Sequence, residues 1–368
     1  MGKTARYIIG GYHLAFIVLT PMYFLFHSFN LPLFLLSILL YGLCGVAITA
    51  GYHRLYSHKA YKLNPVIEFF VLGFATLAMQ GSAIKWAHDH RVHHTHLDTE
   101  KDPYSVTHGF WHAHMGWLFK PSIPFNAKSV ADLFKNPLVR FQHQYYGWLV
   151  LATHLVLVRY VFLLSNDLFS TLYLVVLFRL LLLHHCTWFI NSLAHVWGAK
   201  TYSRELTAVD NGILAFLTFG EGYHNFHHTF MSDYRNGIRW YHFDPSKWFV
   251  WTCSKIGLAS KLKRIDANVI KKSLIKHDMD LFERFEVIQK SDLYVNLQQL
   301  QKSFEKTLAE LQDDFRAYQK LRAQKATRLE KKELRRFIRS KRRELRAYWK
   351  SWLLHVKSLE KNFVLPHV

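Results

Sequence analysis

Histidines gather in two short strings of this 368-residue chain and carry its most specific chemistry. In KWAHDHRVHHTH (85–96), His90, His93 and His94 stand at i, i+3 and i+4, so on a helix all three rings leave one face. The same spacing recurs at His224, His227 and His228 in GYHNFHH, while His53 and His58 form a pair in YHRLYSH. His195 in NSLAH adds one more ring, and Asn191 lies one helical turn before it, facing the same way. Neutral imidazole is a borderline ligand suited to zinc, copper, iron and nickel, and eight or more rings exceed what one ion accepts. Two metal ions are therefore expected, and the asparagine amide could hold a water on one of them. The three cysteines lie far apart with no CxxC, so nitrogen rather than sulfur would hold the ions.

An all-imidazole site leaves the cationic charge uncompensated, so carboxylates should orient the outer ring N–H groups. Asp89, Asp98, Glu100, Asp102, Glu221 and Asp233 are the candidates. His53 and His58, five residues apart, would point about 140° away from each other on a regular helix. The helix carrying them should therefore end or bend near Arg54. His13, His154 and His184 fall within apolar segments and read as packed or hydrogen-bonded residues, whereas His108, His112, His114 and His242 lack a partner at ligand spacing.

The elements that must position these rings are membrane helices. Four apolar segments, 7–26, 31–49, 148–164 and 168–183, are each near the ~20 residues needed to cross hydrocarbon. Connectors around Asn30 and Asp167 carry no Lys or Arg, while residues 51–146 carry ten, which places the latter segment in the cytosol. Every histidine group then falls on the cytosolic side. The apolar stretch 64–83 is interrupted by Glu68, two glycines and Gln80. Spanning would put His53 and His90 on opposite sides, so it reads as an interfacial or core helix. The expected fold is an all-α membrane protein: four transmembrane helices, a cytosolic helical cap holding a histidine-rich di-metal site, and a basic helical tail.

Two domains follow, 1–257 in the membrane and 258–368 as the tail. Residues 258–365 contain neither Gly nor Pro, and apolar residues at 293, 297, 300, 304, 308, 311, 315 and 318 form a helical stripe. Much of the net charge of +21 lies in RAQKATRLEKKELRRFIRSKRRELRAYWK (322–350). That run fits binding to anionic membrane lipids or a solvated coiled-coil face. It carries no recognised nucleic-acid motif, so nucleic acid is not an expected partner.

Between 51 and 251 the sequence resembles the membrane-bound acyl-CoA desaturases of the stearoyl type, closest in flavour to bacterial members. The resemblance rests on HRLYSH, WAHDHRVHH followed by DTEKDPY and GFWHAHMGW, FINSLAHVWG, DNG, EGYHNFHH and DYRNGIRWYHFDPSKW. It implies a di-iron centre in which His53, His58, His90, His94 and His227 hold one iron, and His93, His195, His224 and His228 the other, with Asn191 acting through water. It further implies O2-dependent insertion of a cis double bond, at carbon nine in the usual case, into a long-chain saturated acyl-CoA. Gln80, Trp86 and Thr187 match family positions that line the kink of the substrate tunnel, although ordinary core packing would also explain them. Thr107 and His108 stand where the family often has two basic residues that contact the acyl carrier, and His88 where Arg is common. Those departures leave acyl carrier protein or a lipid-linked chain open as the carrier; Met231, where proline is frequent, has no consequence. With no HPGG-type haem segment, electrons would come from a separate donor such as ferredoxin, rubredoxin or cytochrome b5 with its reductase. The expected location is the membrane with the active site facing the cytosol, a bacterial inner membrane rather than the endoplasmic reticulum.

Other chemistries compete. A di-iron hydroxylase on the same scaffold would differ only in product, and a zinc-dependent membrane hydrolase would need neither O2 nor reductant. A metal transporter predicts ligands at mid-membrane, whereas these cluster at the cytosolic ends. Tight HxxHH triplets argue against haem.

Overall fold

A computed structural model describes residues 3–324 and 327–362. Among them four helices are long and apolar enough to cross a membrane: Arg6–Phe26, Leu31–Ser57, Tyr146–Ser165 and Leu168–His195. Local signals set their ends. The Asn30 side chain accepts from Leu33 N at the start of the second span, and Asn166 closes the third in the left-handed conformation. The Asp167 side chain then caps the fourth through Ser170 N. Both even-numbered spans run further than hydropathy indicates, because their final turns are polar and carry site residues.

The second span does not continue as a regular helix through Arg54 and ends at Ser57. Its winding widens to i→i+5 pairing over Ala47–Ser57, and His58 N donates to His53 O at 3.1 Å. A five-residue separation thereby becomes one turn, which brings His53 and His58 over each other with ring centroids 4.8 Å apart. The widened turn is the physical answer to the spacing problem that a regular helix poses.

Pro65–Leu77 is helical for only 13 residues. At 1.5 Å per residue that is about 20 Å, too short for a ~30 Å hydrocarbon core. It lies against the second span, burying Val71, Leu72 and Ala75 with Ile48, Tyr52 and Tyr56. Its one acidic residue, Glu68, accepts from Tyr56 Oη at 3.0 Å and from Asn136 Nδ2 at 2.6 Å. The Ala83–His96 helix follows, started by Ser82 Oγ accepting from Lys85 N. Lys62–Leu63 pairs antiparallel with Ala259–Ser260, tying the segment after the Pro245–Lys255 helix back to the end of the second span.

The described chain divides into two compact units, residues 1–200 with 206–264, and 201–205 with 265–368. The second unit is helical. Its two long helices, Asp292–Ala323 and Arg328–Asn362, bury Leu297, Phe304 and Leu311 with Ile338, Leu345, Trp352 and Leu359. Both sets repeat every seven residues, the seam of a coiled coil. Short residues 201–205 join this unit through Ser273 Oγ donating to Tyr202 O and the Lys276–Glu205 ion pair.

Candidate metal centre

Nine of the histidines converge as two groups. His53, His58, His90, His94 and His227 present ring nitrogens within 4.8 Å of one another, and so do His93, His195, His224 and His228. The Nε2 atoms face inward: His53 to His227 is 2.9 Å, His58 to His90 2.9 Å and His94 to His227 3.0 Å. In the second group His195 to His224 is 3.1 Å and His224 to His228 3.0 Å. Each HxxHH string serves both groups. On the Ala83–His96 helix, His90 and His94 are about 40° apart and enter the first group, while His93 turns to the second. On His224–Thr229 the division reverses, with His224 and His228 in the second group and His227 in the first. Gly222 permits that short helix its position, since a Cβ there would meet Ala215 N at 2.2 Å.

Acceptors behind the rings fix their tautomers. His53 Nδ1–H donates to Glu221 Oε2 at 2.8 Å, and His93 Nδ1–H to Asp102 at 2.9 Å. His195 Nδ1–H donates to Thr207 Oγ1 at 2.6 Å, whose hydroxyl donates to Asp98 Oδ1, also at 2.6 Å. A proton held on Nδ1 leaves the Nε2 lone pair free to bind a metal. Asp98 takes a left-handed φ of 60°, tolerable for Asp, just past the helix end. Of the six carboxylates singled out in the sequence, three orient site histidines. Asp89 instead binds Lys85 and His88, Glu100 is exposed at 3.5 Å from His108, and Asp233 pairs with Arg235.

Electrostatics favours the ligating form. Burial, and then the charge of neighbouring rings, holds His58, His90, His94, His224, His227 and His228 well below the usual histidine range. They are neutral at pH 7. Burial alone would raise the Glu221 carboxyl, but His53 and Arg54 beside it hold it below its ordinary value. Buried Arg54 donates to Glu221 at 2.9 Å and to Asp244 at 3.1 Å. Asn236 Nδ2 adds a third donor to Glu221 at 2.7 Å. Sequence reading missed the roles of Arg54, Thr207 and Asn236: Arg54 entered only as the place near which the helix should end or bend, and nothing in spacing joins Thr207 to Asp98, 109 residues away.

A cavity of about 530 Å³ opens beside both groups, with His53, His90, His93 and His224 in its wall. Away from the histidines it is bordered by Ile48, Leu180, Leu183, Val150 and Phe219. Asn191, Gln80, Trp86 and Thr187 all line it. Gln80 Nε2 donates to Thr187 Oγ1 at 2.9 Å, and Trp86 stacks on His90 at 4.9 Å. A second cavity of about 550 Å³ shares Lys85, Asp89, Trp117 and Leu118 with the first, and adds Lys101, Lys120, His96 and His112. The three histidines of the apolar segments are hydrogen-bonded: His184 to Tyr12 and Ala78 O, His154 to Val150 O, and His13 to Ile9 O.

Four membrane-length helices, nine converging imidazoles and an adjoining apolar cavity define a multi-pass membrane protein built around two histidine clusters that could each hold a metal ion. The fatty acid desaturase family profile matches residues 29–254, and the chain belongs to that family. It is 41% identical over 255 residues to acyl-CoA desaturase 1 of Saccharomyces cerevisiae, covering 68% of this chain and 49% of the yeast protein. Delta(9)-fatty-acid desaturase fat-6 of Caenorhabditis elegans is 36% identical over 252 residues, 67% of this chain and 74% of its own. The sn-1 stearoyl-lipid 9-desaturase of Anabaena variabilis is 35% identical over 233 residues, 62% and 84% respectively. The chain thus spans about half the length of the yeast relative.

Proposed function

We propose that this chain is an O2-dependent fatty acyl desaturase that places a cis double bond, at carbon nine, in a long saturated acyl chain carried by CoA. The observation that carries the reading is the apolar cavity whose wall includes histidines of both groups. An unactivated methylene pair has no acidic proton, so side-chain acid–base chemistry has nothing to act on. Two iron ions, held by the five- and four-histidine groups with Asn191 acting through water, would supply the oxidising power. Nitrogen donors with Nδ1 pinned by carboxylates fit iron. Overall, the two C–H bonds and O2, with two electrons and two protons from outside, become a C=C bond and two waters.

The protein's own part is binding, orientation and exclusion of water. Trp86, Gln80 and Thr187 border the acyl chain where the cavity passes the histidines, so that one C–C bond faces them. Lys85, Lys101 and Lys120 of the adjoining cavity suit a phosphate-bearing carrier. Electrons come from a separate acidic carrier drawn to the basic cytosolic surface.

Expression in a host lacking its own desaturase, with lipids analysed under air and under anaerobiosis, tests the reading. A cis-9 product is expected only under air. Equal product without O2, or a hydroxylated product instead, refutes it.

A further inference from the structure

The net positive charge of the second unit is concentrated in one helix. Asp292–Ala323 carries five acidic and five basic residues, whereas Arg328–Asn362 carries thirteen basic against four acidic, a net of +9. Within the latter the buried seam of Ile338, Leu345, Trp352 and Leu359 fixes which way the helix faces. On another face Lys332, Arg336, Arg339, Arg343, Arg346, Lys350 and Lys357 are all exposed. Their steps of four, three and seven place them within an arc of about 80° along roughly 38 Å of helix. The ion pairs that join helices of this unit among the described residues, Lys341 with Glu310 and Lys272 with Glu305, use other residues. Leu353 and Leu354, 49% and 61% exposed, adjoin the stripe.

We propose that this cationic stripe docks on the anionic lipid surface of the bilayer that holds the spans. Three observations select that partner. The same polypeptide carries four membrane-length helices, so a bilayer is tethered at high effective concentration. A straight row of like charges matches a plane of headgroups better than the contoured surface of a protein partner. Exposed leucines beside the row suit the headgroup–acyl boundary and have no role against nucleic acid. Coiled-coil seam and lipid face are thus two sides of one helix. The proposal is independent of the reaction catalysed.

The full chain, with a fluorophore attached through Ala347→Cys, reports the contact. Ala347 is exposed near the stripe, and the native Cys44, Cys186 and Cys253 are buried and shielded from labelling. Discs of phosphatidylcholine alone are compared with discs containing about 30% brominated phosphatidylserine. The fluorophore should be quenched in the anionic discs, and quenching should be lost at about 0.5 M salt. Replacing Arg336, Arg339, Arg343 and Arg346 by Glu should abolish it, and replacing them by Lys should preserve it. Equal signal in a third set, brominated phosphatidylcholine discs, would overturn the charge basis; quenching that survives the Glu variant would overturn the stripe. Binding of added RNA that the Glu variant abolishes, without any lipid response, would assign the stripe to nucleic acid instead.

Discussion

Replacing Glu221 by Gln tests how the five-histidine group is held. Three donors converge on this buried carboxylate: His53 Nδ1–H at 2.8 Å, Arg54 at 2.9 Å and Asn236 Nδ2 at 2.7 Å. Gln is nearly isosteric but offers one acceptor oxygen and turns an NH2 toward a donor. Breaking a buried ion pair costs about 3–5 kcal/mol, and Arg54 keeps Asp244 and Tyr234 O, so about 3 kcal/mol is expected here. Loss of the acceptor behind a metal-bound histidine lowers metal affinity about 10- to 100-fold, or roughly 1.4–2.7 kcal/mol. His53 belongs to the five-histidine group alone, so only one metal should weaken. Titrating the reconstituted protein with a chelator, and counting iron per chain by mass spectrometry, should show one ion leaving early and one retained. Two ions held as tightly as in the parent protein would refute the coupling of Glu221 to that group, and retention of the second ion guards against simple unfolding.

Further outcomes follow from the same geometry. Thr207→Val removes the hydroxyl between His195 and Asp98 and should loosen the ion of the four-histidine group about tenfold while sparing the other; the same chelator titration reads it. Metal-free protein should lose stability as pH falls below 6.5. The buried histidines have folded values below that figure, so the unfolded chain takes up protons that the folded one excludes. A melting temperature that stays flat down to about pH 5 would contradict this. At Gly45 an added Cβ would collide with the Phe219 ring, which lines the apolar cavity. Gly45→Leu should therefore destabilise by about 1–3 kcal/mol and shift the acyl chain lengths accepted, seen by thermal melting and by product analysis.

Much of this was legible because metal ligation imposes spacing. HxxHH can only be read as one helical face, and four apolar segments with asymmetric charge leave one side for all the rings. The stripe from 293 to 318 likewise faces the seam of the second unit. What stayed hidden depends on three-dimensional pairing. His53 and His58 needed a wider helical turn, a departure that costs regular hydrogen bonding and has no clear residue code. Glu221 was visible as a candidate carboxylate, but its partner lies 168 residues away, and Asp89 was an equal candidate until Lys85 and His88 proved nearer. Thr207 had no chemistry of its own to announce it.

The proposed function requires the nine histidines to hold two iron ions that work on the chain in the adjoining cavity. Its most direct measurement is a single-turnover assay on purified protein loaded to known iron content, with a saturated acyl-CoA, a chemical reductant and metered O2. One double bond per O2 consumed is expected at two irons per chain, with none after His93→Ala or in the zinc-loaded protein. Product formed without O2, or at full yield in His93→Ala, would contradict it.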